Sequence, residues 1–412
     1  MGNLLKIAIR NLLRYKRRTL LTASLITIGV VFVLGFISIS GSFKNMMIAQ
    51  ITDSSLGHLK VHRKGYMAAI DSLPLNMNLR PRPLEKLENI LKAQPEIEAY
   101  SPRIKFGGMF STFVETTSIR LNGVYPDREF KTVPLLTSRI IKGEISLNKG
   151  EILVPEILSM GMGVKPGDTV VIVTTNKDGS VNGKKFKVSG VLESAQGPGG
   201  RDGYVHIEDA MEVLRMEEME ISEVAIRVKD FNREVAFTEK LEGLLAKEVN
   251  QKGKPIFEVH SWEKLSPFYN IARMIDVMTI FIKAMLIAVV LISIMNVMIM
   301  AVYERVREIG TIAAIGTLPG KILSLFVMEG FCLGAIGVVI GDFIGLSLVL
   351  ILNLVGISFN FGRQKGLILN ATIDPVDVLI VSGIVILISV LGSLQPALKA
   401  SRMEPIRALR HV

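Results

Sequence analysis

Cysteine is almost absent: Cys332 is the only one in 412 residues. A disulfide framework and a cysteine-based metal or redox motif are therefore excluded. No stretch reads G-x-x-x-x-G-K followed by Ser or Thr, so the chain has no phosphate-binding loop of its own. Gly316 to Lys321 comes nearest, but it lacks both the spacing and the hydroxyl residue. No H-E-x-x-H or paired-cysteine pattern offers a metal site. His58 and His62 lie four apart on a strand-like segment without a third ligand, and read as a solvated strand face. Gly197-Pro198-Gly199-Gly200 is too irregular for a phosphate cradle and reads as a mobile loop. Charged residues make up only 21% against 49% hydrophobic, which excludes a disordered chain.

What is abundant is apolar sequence in blocks. Thr19 to Phe43 holds 25 residues without a charge, and a bilayer span needs about 20. Ala284 to Tyr303 is a second uncharged run, extended by Val277–Ile282 beyond Lys283. Ile322 to Val355 is apolar except for Glu329 and Asp342, and Val378 to Leu398 is a fourth run. Four such runs predict four transmembrane helices. The first is longer than the apolar region of a signal peptide and no A-x-A site follows it, so it reads as an uncleaved anchor.

Between the first and second runs, Gly41 to Asp276 has soluble character. Short alternating segments at His58–His62, Ile119–Val124, Val170–Thr174, Phe186–Val191 and Val224–Val228 read as strands. Helical patterns intervene at Pro83–Ala93, Glu208–Arg215 and Val235–Val249. Val170–Val188 reads as a hairpin turning at Asn176-Lys177-Asp178-Gly179. The fold class that follows is an α-helical membrane protein of four transmembrane helices, with a large α+β extracytoplasmic domain inserted between helices 1 and 2.

The net charge is +10, which by itself suits nucleic acid or anionic lipid as a partner. Its position decides between them. Residues 1–18 carry six cations and no acid, the loop from Tyr303 to Lys321 is +1, and the tail from Lys399 is +3. The whole excess thus sits at the flanks of the apolar runs, as the positive-inside rule requires of cytoplasmic segments. Both termini and the middle loop are expected in the cytoplasm and the large domain outside, and nucleic acid is not expected as a partner. Lys6, Arg10, Arg14 and Arg17 form one stripe of a helix beside an apolar stripe of Leu5, Ile9, Leu12 and Leu13. Such a helix lies along the inner leaflet with its cations at the lipid headgroups.

Two features stand out inside the third run. Glu329 and Asp342 are ionisable groups in an apolar setting, where a proton relay or a satisfied helix-bundle contact are the two readings, and the second is favoured. Gly330, Gly334, Gly337, Gly341 and Gly345 form a small-residue ridge that lets helix backbones approach, within the chain or against a second subunit.

The loop between the second and third runs carries the most specific pattern. It reads Glu304-Arg305-Val306-Arg307-Glu308-Ile309-Gly310, then Ala314-Ile315-Gly316. Glu304 with Arg307 and Arg305 with Glu308 are i,i+3 partners on a helix. The tail has Pro396-Ala397, Ala400-Ser401-Arg402, Pro405 and Ala408-Leu409-Arg410, and the opening has Ala8-Ile9-Arg10-Asn11-Leu12 before Arg17-Arg18. Together these resemble the FtsX/MacB-type ABC transporter permeases over essentially the whole chain. The outer domain resembles the LolC/LolE-like lipoprotein-releasing branch. The residues that carry this are Leu56-Gly57-His58 leading to Gly65-Tyr66, Gly123-Val124-Tyr125-Pro126, Gly167-Asp168, Tyr204-Val205-His206-Ile207 and Ser261-Trp262-Glu263.

The resemblance implies a division into 1–18 cytoplasmic basic amphipathic helix, 19–43 first span, 44–276 periplasmic core domain, 277–303 second span, and 304–321 cytoplasmic coupling segment. There follow 322–355 third span, 356–377 short periplasmic loop, 378–398 fourth span and 399–412 cytoplasmic tail. It implies that Glu304, Arg305, Arg307, Glu308, Gly310, Ala314, Ile315 and Gly316 dock on a cytoplasmic ABC ATPase dimer, which alone binds ATP and magnesium. The permease itself then has no cofactor and no enzymatic activity, and pairs with a second permease subunit, identical or not. The expected activity is extraction of lipoproteins from the inner membrane for a periplasmic carrier. Two alternatives are a MacB-like exporter of peptides, antibiotics or other amphiphiles and an FtsX-like signalling permease acting on cell-wall hydrolases. One departure is that the segment Thr174–Lys185 is short and proline-free, whereas the LolC-type hairpin is extended and catches the carrier through prolines.

Overall fold

The computed structural model describes residues 2–194, 200–356, 358–361 and 364–405. Gly197, Pro198 and Gly199 of the glycine-rich loop, and Arg407, Ala408, Leu409 and Arg410 of the tail, lie outside the described residues. Two compact units emerge, Met1–Asn45 with Ala272–Phe359 and Gly366–Val412 in one, and Met46–Ile271 with Asn360–Lys365 in the other.

In chain order, helices α1 (Gly2–Arg14) and α2 (Lys16–Ile51) precede strand β1 (Leu59–Arg63), helix α3 (Pro81–Lys92), strands β2 (Ile97–Ser111) and β3 (Thr116–Val124). Then come α4 (Pro126–Thr132), α5 (Leu135–Ser138), β4 (Ile140–Gly143), β5 (Glu151–Pro155), α6 (Glu156–Met162), β6 (Thr169–Thr175) and β7 (Val181–Leu192). The soluble unit continues through β8 (Asp202–His206), α7 (Ile207–Val213), β9 (Glu223–Val228), α8 (Glu234–Leu245), β10 (Phe257–Ser261) and α9 (Trp262–Leu265). The remaining elements are α10 (Tyr269–Glu304), α11 (Val306–Ala314), α12 (Pro319–Val355), the strands β11 (Ser358–Phe361) and β12 (Gln364–Ile368), and α13 (Pro375–Ser401).

Four helices are long and apolar enough to cross a membrane: α2, α10, α12 and α13. Each extends past the uncharged run that announced it, because a helix continues as long as its backbone bonds are satisfied and nothing stops it. Proline at the first position starts α12 and α13, and the Asp374 carboxylate caps α13 by accepting from the Val376 N–H. Gly356, in the left-handed region at φ 64°, closes α12. The interval 356–377, read from sequence as a short loop, holds the two-stranded ribbon of β11 and β12.

The glycine ridge packs inside this chain. A Cβ at Gly330 would meet Ser393 at 2.5 Å, and Gly334 faces Ser389, both on α13. One at Gly337 would lie 2.6 Å from Ile26 and one at Gly341 2.8 Å from Val30, both on α2. Gly345 lies against Leu34 of α2. One ridge therefore serves two neighbours: its first two glycines admit α13 and its last three admit α2. Close approach of this kind maximises dispersion contacts where no hydrophobic effect drives helices together.

The N-terminal helix divides its apolar stripe between two faces. Ala8 and Leu12 of α1 are buried with α12, whereas Leu5, Ile9 and Leu13 are exposed. Leu12 alone of the expected stripe points inward. Large aliphatic side chains outside the packed face are free to meet lipid, which is what a helix lying along the inner leaflet needs.

The soluble unit is built on a ten-stranded mixed sheet in the order β10-β1-β9-β2-β3-β8-β5-β7-β4, with β6 pairing β2 and β7. Most pairs are antiparallel, but β3 with β8 and β5 with β7 run parallel. Helices α3, α7 and α8 bury Leu84, Leu87 and Leu91, Ala210 and Val213, and Phe237 and Leu241 in the same apolar core as the strands. The β6–β7 hairpin falls where the turn residues announce it. Thr175 pairs Val181, the Gly179 N–H donates to the Asn176 carbonyl, and Gly179 supplies φ 85°.

Candidate functional site

The segment singled out by its motif, Glu304 to Gly316, folds as the end of α10, one linking residue and the short helix α11. Its base is fixed by charge. Arg305 is buried, and its Nη1 donates to Glu329 Oε1 of α12 at 2.8 Å while its Nε donates to Glu308 Oε2 at 3.0 Å. Asn11 Nδ2 of α1 donates to the same Glu329 oxygen at 2.6 Å. The Arg305 guanidinium also lies over the Phe326 ring, 5.5 Å from its centroid. Glu329 is thus a satisfied acceptor in a helix-bundle contact.

A second layer surrounds this pair. Arg14 Nη1 reaches Glu308 Oε1 at 3.1 Å, and Arg18 Nη1 reaches Glu304 Oε2 at 2.7 Å. The Arg305–Glu308 pairing expected from i,i+3 spacing is present. Glu304 gives its carboxylate to Arg18 of α2. Arg305 separates α10 from α11, so the segment is not the single helix that the i,i+3 spacing assumed. Of the basic stripe, Arg14 is drawn into this network, while Lys6, Arg10 and Arg17 are exposed.

From this anchored base, α11 buries Val306, Ile309 and Gly310 and presents its other face outward. Ile315 is 81% exposed and Leu318 is 65% exposed, with Ile312 beside them in sequence at three-residue spacing and Ala314 also exposed. Gly316, at φ 94°, makes the turn from α11 toward the start of α12, a conformation that disfavours any residue with a Cβ. The site is therefore an apolar edge held at fixed orientation by a buried ion pair. Asn11, Arg18 and the Arg305–Glu329 partnership escaped the sequence reading. The usable signal was a lone carboxylate in an apolar run, which must find a cation, and the adjoining loop was the nearest supply.

Two other groups received attention from sequence. Asp342 accepts from Ser382 Oγ of α13 at 2.8 Å, and its other oxygen has no hydrogen-bond partner among the described residues. The histidines are not on a solvated strand face: both His58 and His62 are buried. The His58 ring receives the Val228 N–H at Nδ1 and meets Asp53 at 3.2 Å. His62 meets Glu223, which also takes Lys60 at 2.8 Å and Arg103 at 3.1 Å. Arg103 in turn holds Glu129 at 2.7 Å and the Ser55 carbonyl at 2.7 Å. Burial lowers the Lys60 ammonium to about 7. Burial alone would raise Glu223, but Lys105, Lys60 and Arg103 around it hold it well below the ordinary carboxylate range. Alternation put these residues on one strand face, but that face is the interior of the sheet packing. Among the described residues no three metal-ligating side chains converge.

Four membrane-length helices and a mixed α/β unit define a multi-span membrane protein with a large folded domain. Two family models match in succession, the MacB-like periplasmic core domain over residues 19–244 and the FtsX-like permease C-terminal region over 280–405. The first alone takes in more than half of the chain, and the protein belongs to the FtsX/MacB-type ABC transporter permeases. Similar proteins include the lipoprotein-releasing system transmembrane protein LolC of Xylella fastidiosa, 24% identical over 71% of this chain and 72% of its own length. LolC of Neisseria meningitidis serogroup B is 22% identical over 95% of this chain and 94% of its own. The macrolide export ATP-binding/permease protein MacB 2 of Aeromonas hydrophila is 24% identical over 98% of this chain, which spans 60% of that protein.

Proposed function

We propose that this chain is the permease subunit of an inner-membrane ABC transporter, which converts ATP hydrolysis by a separate cytoplasmic ATPase dimer into movement of its periplasmic domain. The observation that carries the reading is the exposed Ile312, Ile315 and Leu318 edge, whose base is anchored through Arg305 and Glu329. An apolar edge on a rigidly held helix can take a push from a partner and pass it on, because the buried ion pair leaves the helix little freedom to yield. On this reading both termini and residues 304–321 are cytoplasmic. The domain inserted between the first and second spans is periplasmic, and ATP and magnesium stay on the ATPase. A second permease subunit completes the transporter.

For cargo, the reading is release of lipoproteins from the inner membrane toward the outer membrane, with a periplasmic carrier as acceptor. It is supported by the LolC relatives, one of which aligns over nearly its whole length. A second reading, MacB-like export of amphiphiles, is favoured by the tight β6–β7 turn. With Asn176 to Ser180 closing it, no proline-bearing extension is available to catch a carrier. The cargo test is depletion of the protein in its native host followed by separation of inner and outer membranes. Lipoproteins retained in the inner membrane support release, and normal sorting turns the assignment to export. The coupling test uses Ile315→Asp and Gly310→Pro. Both are expected to abolish co-purification of the ATPase while membrane insertion continues, and unchanged co-purification with both sinks the docking assignment.

A further inference from the structure

The soluble unit contains a pocket that the transport reading does not use. It has a volume of about 440 Å³, the size of a small-ligand site. Its wall brings together Arg63, Lys64, Arg80 and Lys254 with Asn78, and no acidic residue lines it. The four cations arrive from three places. Arg63 ends β1 with Lys64 immediately after it, Arg80 stands immediately before α3, and Lys254 closes a turn in which the Asn250 N–H donates to the Lys254 carbonyl at 2.9 Å. The backbone beneath them is tied down, since the Lys64 N–H donates to the Ile256 carbonyl at 2.8 Å and the Leu79 N–H to the Ile221 carbonyl at 2.7 Å.

Charge pairing elsewhere on the same unit makes this cluster unusual. Lys86 holds Glu248 at 2.6 Å, Lys240 holds Glu96 at 2.6 Å and Lys177 holds Glu220 at 2.9 Å. Among the described residues, by contrast, Arg63, Lys64, Arg80 and Lys254 have no carboxylate partner, and Arg63 has only the Asn76 carbonyl. Four like charges around one concavity repel one another, and an anion relieves that repulsion. Two further observations point the same way. Helix α3, twelve residues long, begins at this wall with no side-chain cap and no acid in its first turn; Pro81 and Pro83 carry no N–H, so it adds the positive end of its dipole rather than a row of amide donors. Asn78 is 2% exposed and accepts from Ser222 Oγ at its Oδ1, yet its Nδ2 has no hydrogen-bond partner among the described residues. A buried amide donor left unmatched is expensive unless a ligand supplies the acceptor.

We propose that this pocket binds a phosphate group bearing two negative charges, as in a phosphomonoester or a pyrophosphate. Two arginines provide planar forks matched to phosphate oxygens, two lysines provide point charges, and the volume leaves room for whatever the phosphate is attached to. The phosphate has two possible sources, a soluble phosphate compound or the headgroup of a lipid, and the chemistry of the site is the same for both.

The test uses the full chain in nanodiscs of zwitterionic lipid, titrated calorimetrically with sodium pyrophosphate and, separately, with dihexanoyl phosphatidic acid below its micelle concentration. Dihexanoyl phosphatidylcholine, whose headgroup has no net charge, serves as the control ligand. Wild-type protein is expected to bind one or both anions, and the phosphatidylcholine not at all. Arg80→Glu and Lys254→Glu are each expected to weaken binding by about tenfold or more, since each replaces attraction with repulsion at the site. Lys247→Glu changes the net charge equally but lies outside the pocket, and is expected to leave affinity within about twofold. Tighter binding of pyrophosphate identifies a soluble ligand, and tighter binding of phosphatidic acid identifies a lipid headgroup. Should the glutamate variants misfold, as read from the fluorescence of the single tryptophan, Arg80→Gln and the salt dependence of wild-type binding replace them. No binding of either anion at roughly 10 mM, a concentration that would half-fill even a very weak site, overturns the proposal. So does equal weakening by Lys247→Glu.

Discussion

Arg305 and Glu329 hold each other at 2.8 Å, one at the junction of α10 and α11 and the other a third of the way along α12. The pair joins the loop to the helix that follows it, and Asn11 adds α1 to the same carboxylate oxygen. Three elements, one of them 318 residues away in sequence, thus meet at one carboxylate oxygen. A carboxylate that would be costly in an apolar helix becomes the fixed point from which α11 projects.

Removing one partner should therefore cost more than removing both. Glu329→Gln leaves the buried Arg305 guanidinium with only Glu308 as counter-charge, and Arg305→Gln leaves the Glu329 carboxylate with only the Asn11 amide; each is expected to destabilise the helical unit by about 3 kcal/mol. The double variant should be less destabilised than the two singles together. Thermal unfolding of the detergent-solubilised protein in a double-mutant cycle reads this. Additivity within about 0.5 kcal/mol would show that the two side chains do not interact energetically.

The glycine ridge yields a sharper spatial test. Gly341→Leu drives a side chain into Val30, and Gly337→Leu drives one into Ile26. Overpacking of this kind typically costs about 1–3 kcal/mol, and more where two helix backbones must separate. Gly383 of α13 has no atom within 4 Å of its ideal Cβ position, so Gly383→Leu should be tolerated. The aggregation temperature of the three purified variants separates them. Equal behaviour of Gly341→Leu and Gly383→Leu would be incompatible with the packing described.

In the soluble unit, Arg103→Met should be more damaging than its exposure to solvent chemistry would imply. It strips a counter-charge from both Glu129 and Glu223 in a buried setting, and a loss of about 3–5 kcal/mol is expected. Chemical denaturation followed by fluorescence of Trp262, which is buried in this unit, measures it. A midpoint unchanged from wild type would mean that water already solvates the cluster.

How far the sequence carried the reading depends on the range of the interaction concerned. The spans were legible because hydropathy is local, and the β6–β7 hairpin because Asn176 to Gly179 dictate their own turn. The pairing of Glu223 with Lys60 was not legible, since 163 residues separate them and only strand register brings them together. His62 looked solvated because alternation gives the face of a strand without saying what covers it. The protein-facing side of α1 was not legible for a different reason. Leu5, Ile9 and Leu13 stay on the outer side of the helix, while Ala8 and Asn11, outside the apolar stripe, join Leu12 in the contact with α12. The motif Glu304 to Gly316 located the candidate docking edge, while the break at Arg305 and the Glu304–Arg18 pair could only be seen in three dimensions.

The last prediction concerns acidity. Glu234, at the start of α8, is raised to about 7, chiefly by burial, with the Glu263 carboxylate adding to the rise and a hydrogen bond from Thr238 opposing it. An unfolded glutamate titrates near 4.5. Between those values the folded state keeps a proton that the unfolded state has released, so stability must fall as pH rises through this window and stay reduced above it. Glu234→Gln is neutral throughout and escapes that loss. Its advantage over wild type should be near zero at about pH 5 and grow to roughly 2–4 °C in melting temperature by about pH 8. Trp262 is well placed to report the transition, because its ring lies 6.4 Å from Phe231 in the turn that leads into α8. Subtracting the wild-type curve from the variant curve removes every other titration that the two share. A difference that does not change with pH would mean that Glu234 is ionised in the folded protein at ordinary carboxylate values, despite its burial.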